Sequence, residues 1–470
     1  MLFVEFRFFF FFAFVFLVYW TLRNNTARKV FLLLASYFFY ACWDWRFLFL
    51  LIGSTTLDYT IGRLLGHMQD RRKRQGLVAM SLCVNLGLLG FFKYCNFFIG
   101  SASTMLAWLG IPASLHTLHI ILPVGLSFYT FQSMSYTLEI YRGHLEPVRK
   151  PLDLAFFVAF FPQLVAGPIV RATTFLPQVH EARQLAYVAF RPALALFLIG
   201  FIKKACIAEN AAPFVDQFFA SPHSYTVLSA WIATLLYAVQ IYCDFSGYTD
   251  MAIACARLLG YELTVNFNFP YFADSVTDFW RRWHISLSTW LRDYLYISLG
   301  GNRGGKWFTY RNLMLTMLLG GLWHGGAWTF VVWGGLHGLA LIIHREWQRV
   351  REWIPGAVAA MRWLAVPITF YWVCIAWIFF RATNFQDALD TVQRFVLFHA
   401  KGKHLLSLEP RLLLFFAGVA IIHYLNFRGV FSQWWRRLPA PVFAAGYGSA
   451  VAIVLLFVPV KYTPFIYFQF

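Results

Sequence analysis

Residues 309–345 read TYRNLMLTMLLGGLWHGGAWTFVVWGGLHGLALIIHR, two apolar stretches, 309–323 and 327–345, joined through Trp323-His324-Gly325-Gly326. A bilayer core is crossed by about 20 apolar residues, or fewer where neighbouring helices bury the segment. The paired glycines let the backbone bend sharply between the stretches. The passage therefore reads as two membrane helices with an ionisable side chain at their junction. Taking an imidazole out of water is costly unless the site satisfies or uses it, so His324 is a functional candidate by position alone.

Composition extends this reading to the whole chain. With 60% hydrophobic, 20% aromatic and only 13% charged residues among 470, the protein is too apolar for a soluble globular fold. The same length criterion marks further spans near 8–22, 30–44, 46–66, 77–99, 118–140, 187–207, 226–243, 358–380, 410–426 and 441–460, about twelve in all. The predicted fold is an all-α polytopic transmembrane bundle.

A net charge of +18 invites a nucleic-acid reading, but the basic residues fall in short blocks between apolar runs. Arg23, Arg28 and Lys29 form one block, and Arg71, Arg72, Lys73 and Arg74 another. Later blocks are Arg142, Arg149 and Lys150, then Arg345, Arg349 and Arg351, then Arg428, Arg436 and Arg437. The positive-inside bias assigns these connections to the cytoplasm and predicts no nucleic-acid partner. Connections 100–117 and 208–225 contain no Lys or Arg, as exported loops should. The exceptions are Arg381, Arg394, Lys401 and Lys403 in the 381–409 loop, and Lys203-Lys204 near the outer end of a span, which snorkelling or a buried contact would accommodate.

Two regions resist reading as simple spans. Pro151, Pro162, Gly167, Pro168 and Pro177 interrupt residues 152–180, which suggests a re-entrant or broken helix. In residues 262–308, Phe279, Trp280, Trp283, Leu287, Trp290 and Leu291 share one helical side while Arg281, Arg282 and Arg292 lie off it, the pattern of an interfacial amphipathic helix. Irregular backbone at membrane depth requires protein or a water-filled cavity around it, and a cavity reaching inward from the cytoplasm is expected here.

The seven cysteines show no CxxC spacing and read as small buried hydrophobes, and no HExxH occurs, so no metal site is expected. No small-residue cleavage site follows the first apolar run, which reads as a retained span. With no internal repeat, long linker or GxxxxGK[ST] loop, residues 1–470 read as a single membrane domain without a nucleotide-driven motor.

Five blocks resemble the membrane-bound O-acyltransferase (MBOAT) family, in its bacterial alginate O-acetyltransferase (AlgI-like) branch. They are Pro123-Val124-Gly125-Leu126-Ser127-Phe128-Tyr129-Thr130-Phe131-Gln132, Phe161-Pro162-Gln163-Leu164-Val165-Ala166-Gly167-Pro168-Ile169, Tyr242-Cys243-Asp244-Phe245-Ser246-Gly247-Tyr248-Thr249-Asp250, Phe279-Trp280-Arg281-Arg282-Trp283-His284 and Trp323-His324-Gly325. The ending Pro464-Phe465-Ile466-Tyr467-Phe468-Gln469-Phe470 is also similar, whereas Cys243 and Phe269 depart from the family pattern. The resemblance implies a helical bundle around a central tunnel in the bacterial inner membrane. It implies His324 as the essential catalytic residue and His284 as a second motif histidine at the same site. It further implies a cytoplasmic acyl thioester such as acetyl-CoA as donor, with no tightly bound cofactor. An exopolysaccharide, alginate foremost, would be the acceptor, reached through a periplasmic partner of the SGNH-hydrolase-like type.

The residues fit acyl transfer chemically. A base must take the hydroxyl proton as the new bond forms, and histidine titrates near the working pH. His324 is the candidate base, Trp323 supports it, and Gly325 and Gly326 leave room for a thioester or hydroxyl to approach. His284 would assist the base, orient the acceptor or bind an acceptor's carboxyl-type group on the cytoplasmic rim of the tunnel, or else pack at the interface with Trp280 and Trp283. Asp244 would orient a histidine or anchor Arg281 or Arg282, or else form a purely structural ion pair. Arg281, Arg282 and Arg292 are candidates for donor-phosphate contacts, with anionic lipid headgroups as the alternative. His337 and His344 are expected to be structural or snorkelling. A reading from another class is a proton-coupled transporter using the same histidines, although matching halves are absent from the sequence.

Overall fold

A computed structural model describes residues 1–111, 116–351, 362–431 and 434–459. Part of the 100–117 connection, the start of the 358–380 span and the terminal Pro464–Phe470 block lie outside the described residues. The protein is all-α; apart from one isolated bridge between Tyr225 and His404, the regular structure among the described residues is helical. Helices long and apolar enough to cross a membrane, by length and composition, are the stretch Asn25–His67, then Arg71–Trp108, Val227–Leu258 and Pro410–Phe427. Phe6–Thr21, Ala365–Arg381 and Ala440–Leu455 are shorter apolar helices.

The chain forms two compact units. The first comprises residues 1–197 with 248–265. It holds α1 (Phe6–Thr21), α2 (Asn25–Asp44), α3 (Leu48–His67), α4 (Arg71–Trp108) and α5 (Leu126–Arg142). Asn24 and Asp70 start α2 and α4 by accepting hydrogen bonds from the first free backbone amides. The proline-rich stretch breaks into α6 (Pro151–Ala159), α7 (Phe161–Leu164) and α8 (Ala172–His180). Its core is aromatic, with Phe156, Phe160, Phe175 and Tyr261 in mutual ring contact. Lys29, read from sequence as a loop charge, sits inside α2 and forms a buried 2.5 Å ion pair with Asp153. Asp58 is also fully buried, accepting hydrogen bonds from Ser81, Asn85, Ser133 and Thr137.

The second unit comprises residues 198–247 and the chain from Asn266 onward. α9 (Phe190–Phe201) passes through a π-helical stretch, Ile202–Ala208, into α10 (Glu209–Phe219). α11 (Val227–Leu258) contributes its first part, up to Gly247, to this unit. The expected amphipathic helix is not continuous. It forms α12 (Val276–Arg282) and α13 (Ile285–Trp290), interrupted where His284 adopts a left-handed backbone with φ 43°. The apolar side was read correctly for Phe279, Trp283, Leu287, Trp290 and Leu291, which are buried, whereas Trp280 is half-buried. The 381–409 connection is likewise not a plain loop; it contains the helix Phe385–Leu397. Arg381 pairs with Asp216 at 2.6 Å, and Arg394 donates to the carbonyls of Tyr225 and His223, which accounts for two of the charges that broke the positive-inside pattern. Of the cysteines, Cys206, Cys243, Cys255 and Cys374 are buried, whereas Cys42 and Cys83 are exposed on helix surfaces.

α14 (Lys306–His324) and α15 (Trp328–Val350) fold back on each other across the Gly325-Gly326 bend. Glycines set their spacing: a Cβ on Gly321 would strike the carbonyl oxygen of Phe330, and one on Gly334 that of Met317. Small residues that let backbones approach drive helix association where no water is displaced. Gly334→Ala is expected to destabilise by about 1–3 kcal/mol through overpacking, read as a lower thermal midpoint in detergent. Gly53→Ala, where the added methyl meets open space, should leave the midpoint within error.

Candidate active site

The site is built within the second unit from α11, the segment after it, α12 to α15 and the helix Ala365–Arg381. His324 is the last residue of α14 and is 2% exposed; His284 is fully buried. Their ring centres stand 6.4 Å apart, close enough for one small bound group to touch both. Around His324 pack Trp323 at 5.0 Å, Trp333 at 4.9 Å and Phe380 at 5.2 Å, all edge-on. Phe245 packs edge-on against His284 at 4.7 Å. Aromatic walls of this kind exclude water and fix ring orientation.

Asn266 explains the turn at His284. Its side-chain oxygen accepts from the Ser286 amide at 3.1 Å and the Ser286 hydroxyl at 2.9 Å, and lies 3.2 Å from His284 Nδ1. Its backbone carbonyl accepts from Ile285, and the Asn268 amide donates to Arg282. A non-glycine residue held at positive φ costs about 1–3 kcal/mol. These bonds hold His284 there and direct its ring inward. Burial pushes the His284 imidazole down to about 3, so it is neutral through the physiological range.

The other predicted residues divide. Gly325 is needed because the ring of Phe330 fills the space its side chain would take, rather than for a left-handed backbone. Asp244 lies 2.6 Å from Lys204, while Arg282 pairs with Asp278 at 2.7 Å. Arg281 and Arg282 line a cavity of about 1150 Å³ together with Arg351, His344, Asp274 and Asp278. Arg292 does not line it; it pairs with Asp293 and its side chain is 60% exposed. Sequence reading missed Asn266, Trp333, Phe380 and the part played by Arg351, whereas the buried contact offered for Lys203-Lys204 is what Lys204 makes. A carboxamide set in apolar surroundings was the available signal for the first.

Comparison with known proteins identifies the family. Residues 148–386 match the model of the MBOAT, membrane-bound O-acyltransferase family. A Pseudomonas aeruginosa protein described as "Probable alginate O-acetylase AlgI" is 45% identical over 375 residues, covering 80% of this chain and 71% of that protein. A Helicobacter pylori "Peptidoglycan O-acetyltransferase" is 39% identical over 401 residues, covering 80% and 75%. A Bacillus subtilis "Teichoic acid D-alanyltransferase" is 29% identical over 319 residues, covering 63% and 79%. The transporter reading is thereby set aside. With the matched segment reaching from before α6 to beyond Phe380, and so holding His284 and His324, the chain belongs to the membrane-bound O-acyltransferase family and is an acyltransferase.

Proposed function

We propose that the protein is a multi-pass enzyme of the bacterial inner membrane, a single membrane domain of about twelve spans around a tunnel. It moves an acetyl group from a cytoplasmic thioester toward the O-acetylation of an exopolysaccharide. The observation that carries this is the pair of buried histidines 6.4 Å apart, in the same unit as an arginine-lined cavity. Arg345, Arg349 and Arg351 mark the C-terminal end of α15 as cytoplasmic, and the cavity is lined by that same end of the helix.

The acetyl thioester, acetyl-CoA or another, binds with its phosphates at Arg281 and Arg351. Among the described residues no carboxylate lies within ion-pairing distance of either. At His324 the imidazole takes the proton of the acceptor hydroxyl as its oxygen attacks the thioester carbonyl. The carbon–sulfur bond breaks and the thiol leaves with a proton. His284, neutral and held by Asn266, orients the acceptor or the thioester carbonyl. The acceptor hydroxyl belongs to a periplasmic SGNH-hydrolase-like partner, and a polymer hydroxyl then attacks the resulting acetyl ester and releases the partner's hydroxyl. Alginate is the leading acceptor, on the 45% identity to the Pseudomonas protein. Peptidoglycan is the second reading, on the 39% identity to the Helicobacter protein; acetylated cellulose follows.

The test is O-acetyl content of each polymer in cells lacking or expressing the protein, with thiol release from acetyl-CoA measured in their membranes. One polymer should gain acetyl groups. Arg281→Ala with Arg351→Ala should raise KM for acetyl-CoA about tenfold or more, the loss of two charge-assisted contacts. Absence of acetylation on every polymer, with the protein inserted at normal levels, would overturn the reading.

A further inference from the structure

His337 is fully buried, yet among the described residues nothing hydrogen-bonds either of its ring nitrogens. It is boxed by Phe279, stacked at 5.9 Å and nearly parallel, by Trp280 at 5.0 Å and by Trp333 at 4.8 Å. The snorkelling reading from sequence therefore does not apply. Leaving buried polar atoms unsatisfied costs about 1–3 kcal/mol each, a cost that phenylalanine or leucine would avoid if the position only filled space.

Placement says what the imidazole could meet. On α15, Ala340 and His344 follow His337 by three and seven residues, the spacing of one helical stripe, and both line the arginine cavity. At 1.5 Å per residue His337 stands about 10 Å inward of His344. One turn further on is Trp333, which packs against both His337 and His324. His337 thus lies between the cavity and the proposed catalytic histidine, in surroundings otherwise aromatic.

We propose that His337 is a binding residue for the acyl donor's amide-bearing arm, hydrogen-bonding one of its secondary amides as the thioester reaches His324. This inference rests on the thioester-donor reading above. A neutral imidazole offers one N–H and one acceptor nitrogen, which matches the carbonyl and N–H of a peptide-like amide. The pantetheine arm has that chemistry whether it comes on a coenzyme or on a carrier protein. Paired with that amide, one ring nitrogen gains the partner it lacks in the structure; the aromatic box keeps water from competing.

The experiment measures thiol release by wild-type, His337→Phe and His337→Asn protein in detergent. Its donors are acetyl-CoA, S-acetylpantetheine, an acetylated carrier protein and ethyl thioacetate, which has no amide. His337→Phe should raise KM about tenfold for the amide-bearing donors, change kcat by less than twofold and leave ethyl thioacetate unaffected. His337→Asn, which keeps a donor and an acceptor, should recover most of the loss. The donor with the lowest wild-type KM identifies the source of the arm. An equal KM rise for ethyl thioacetate would mean a packing role and overturn the inference. No change with any donor in either variant would also overturn it while leaving the thioester reading intact. If wild-type protein releases thiol from none of the four, the thioester reading fails and this inference falls with it.

Discussion

His324→Ala, compared at matched membrane levels, is expected to lower polymer O-acetylation by about 10²–10⁴-fold, the range for loss of a general base. The expectation rests on position. His324 closes α14, is 2% exposed, and faces Trp323, Trp333 and Phe380 within 5.2 Å. Its ring centre also stands 6.4 Å from that of a second imidazole. Truncation leaves a void among three large rings, so a loss of activity could reflect packing. His324→Gln fills much of that space without a titrating nitrogen and should be equally inactive, with a thermal midpoint close to wild type. His284→Ala should lower the rate less and leave any pH limb between 5 and 8 where it was, because an imidazole held down to about 3 does not titrate in that window. Acetylation at wild-type levels in both His324 variants would remove this residue from the mechanism.

What the sequence disclosed and what it concealed follow from the range of the interactions. An ionisable group in a long apolar run is conspicuous, and a Gly-Gly bend beside it is a local signal, so His324 and the α14–α15 hairpin were legible. The buried side of 279–291 was legible for the same reason, through its spacing. The break at His284 was not. It is imposed by Asn266, 18 residues earlier, whose side-chain oxygen bonds Ser286 rather than any neighbour in the chain. Arg292 appeared equivalent to Arg281 by composition, yet a carboxylate at the next position claims it. Arg351 entered only as one of a cytoplasmic block, because the fold alone brings that end of α15 beside α12 at the cavity. Local pattern thus gave the all-α class and the buried ionisable group at the α14–α15 turn, and long-range packing decided what surrounds it.

Lys203-Lys204, read from sequence as snorkelling or making a buried contact, leads to the largest stability effect expected in this protein. The π-helical stretch Ile202–Ala208 lies so close to α11 that a Cβ on Gly247 would collide with the carbonyl of Gly200 and the amide of Lys204. This approach sets Lys204 Nζ 2.6 Å from Asp244 and 2.7 Å from Glu209, all three about 3% exposed. Lys203 meanwhile lies over the ring of Tyr242. Removing one member of a buried ion pair costs about 3–5 kcal/mol, because the partner's charge is left without compensation; here Lys204→Met would leave two carboxylates facing each other. The expected result is a sharply lower thermal midpoint in detergent and poor accumulation in membranes. The triple variant Lys204→Met, Glu209→Gln, Asp244→Asn removes the charges together and should recover most of the loss, since neutral groups of similar shape avoid the desolvation cost of buried ions. Asp244 immediately precedes Phe245, the residue packed on His284, so the recovered triple variant also asks whether the cluster matters to the reaction. Activity near wild type in that variant would make the triad a device for joining the π-helical stretch to α11. Recovered stability without activity would make the charges themselves part of how His284 is positioned. A midpoint unchanged by Lys204→Met alone would show that the carboxylates find other compensation, and the triad would then carry neither role.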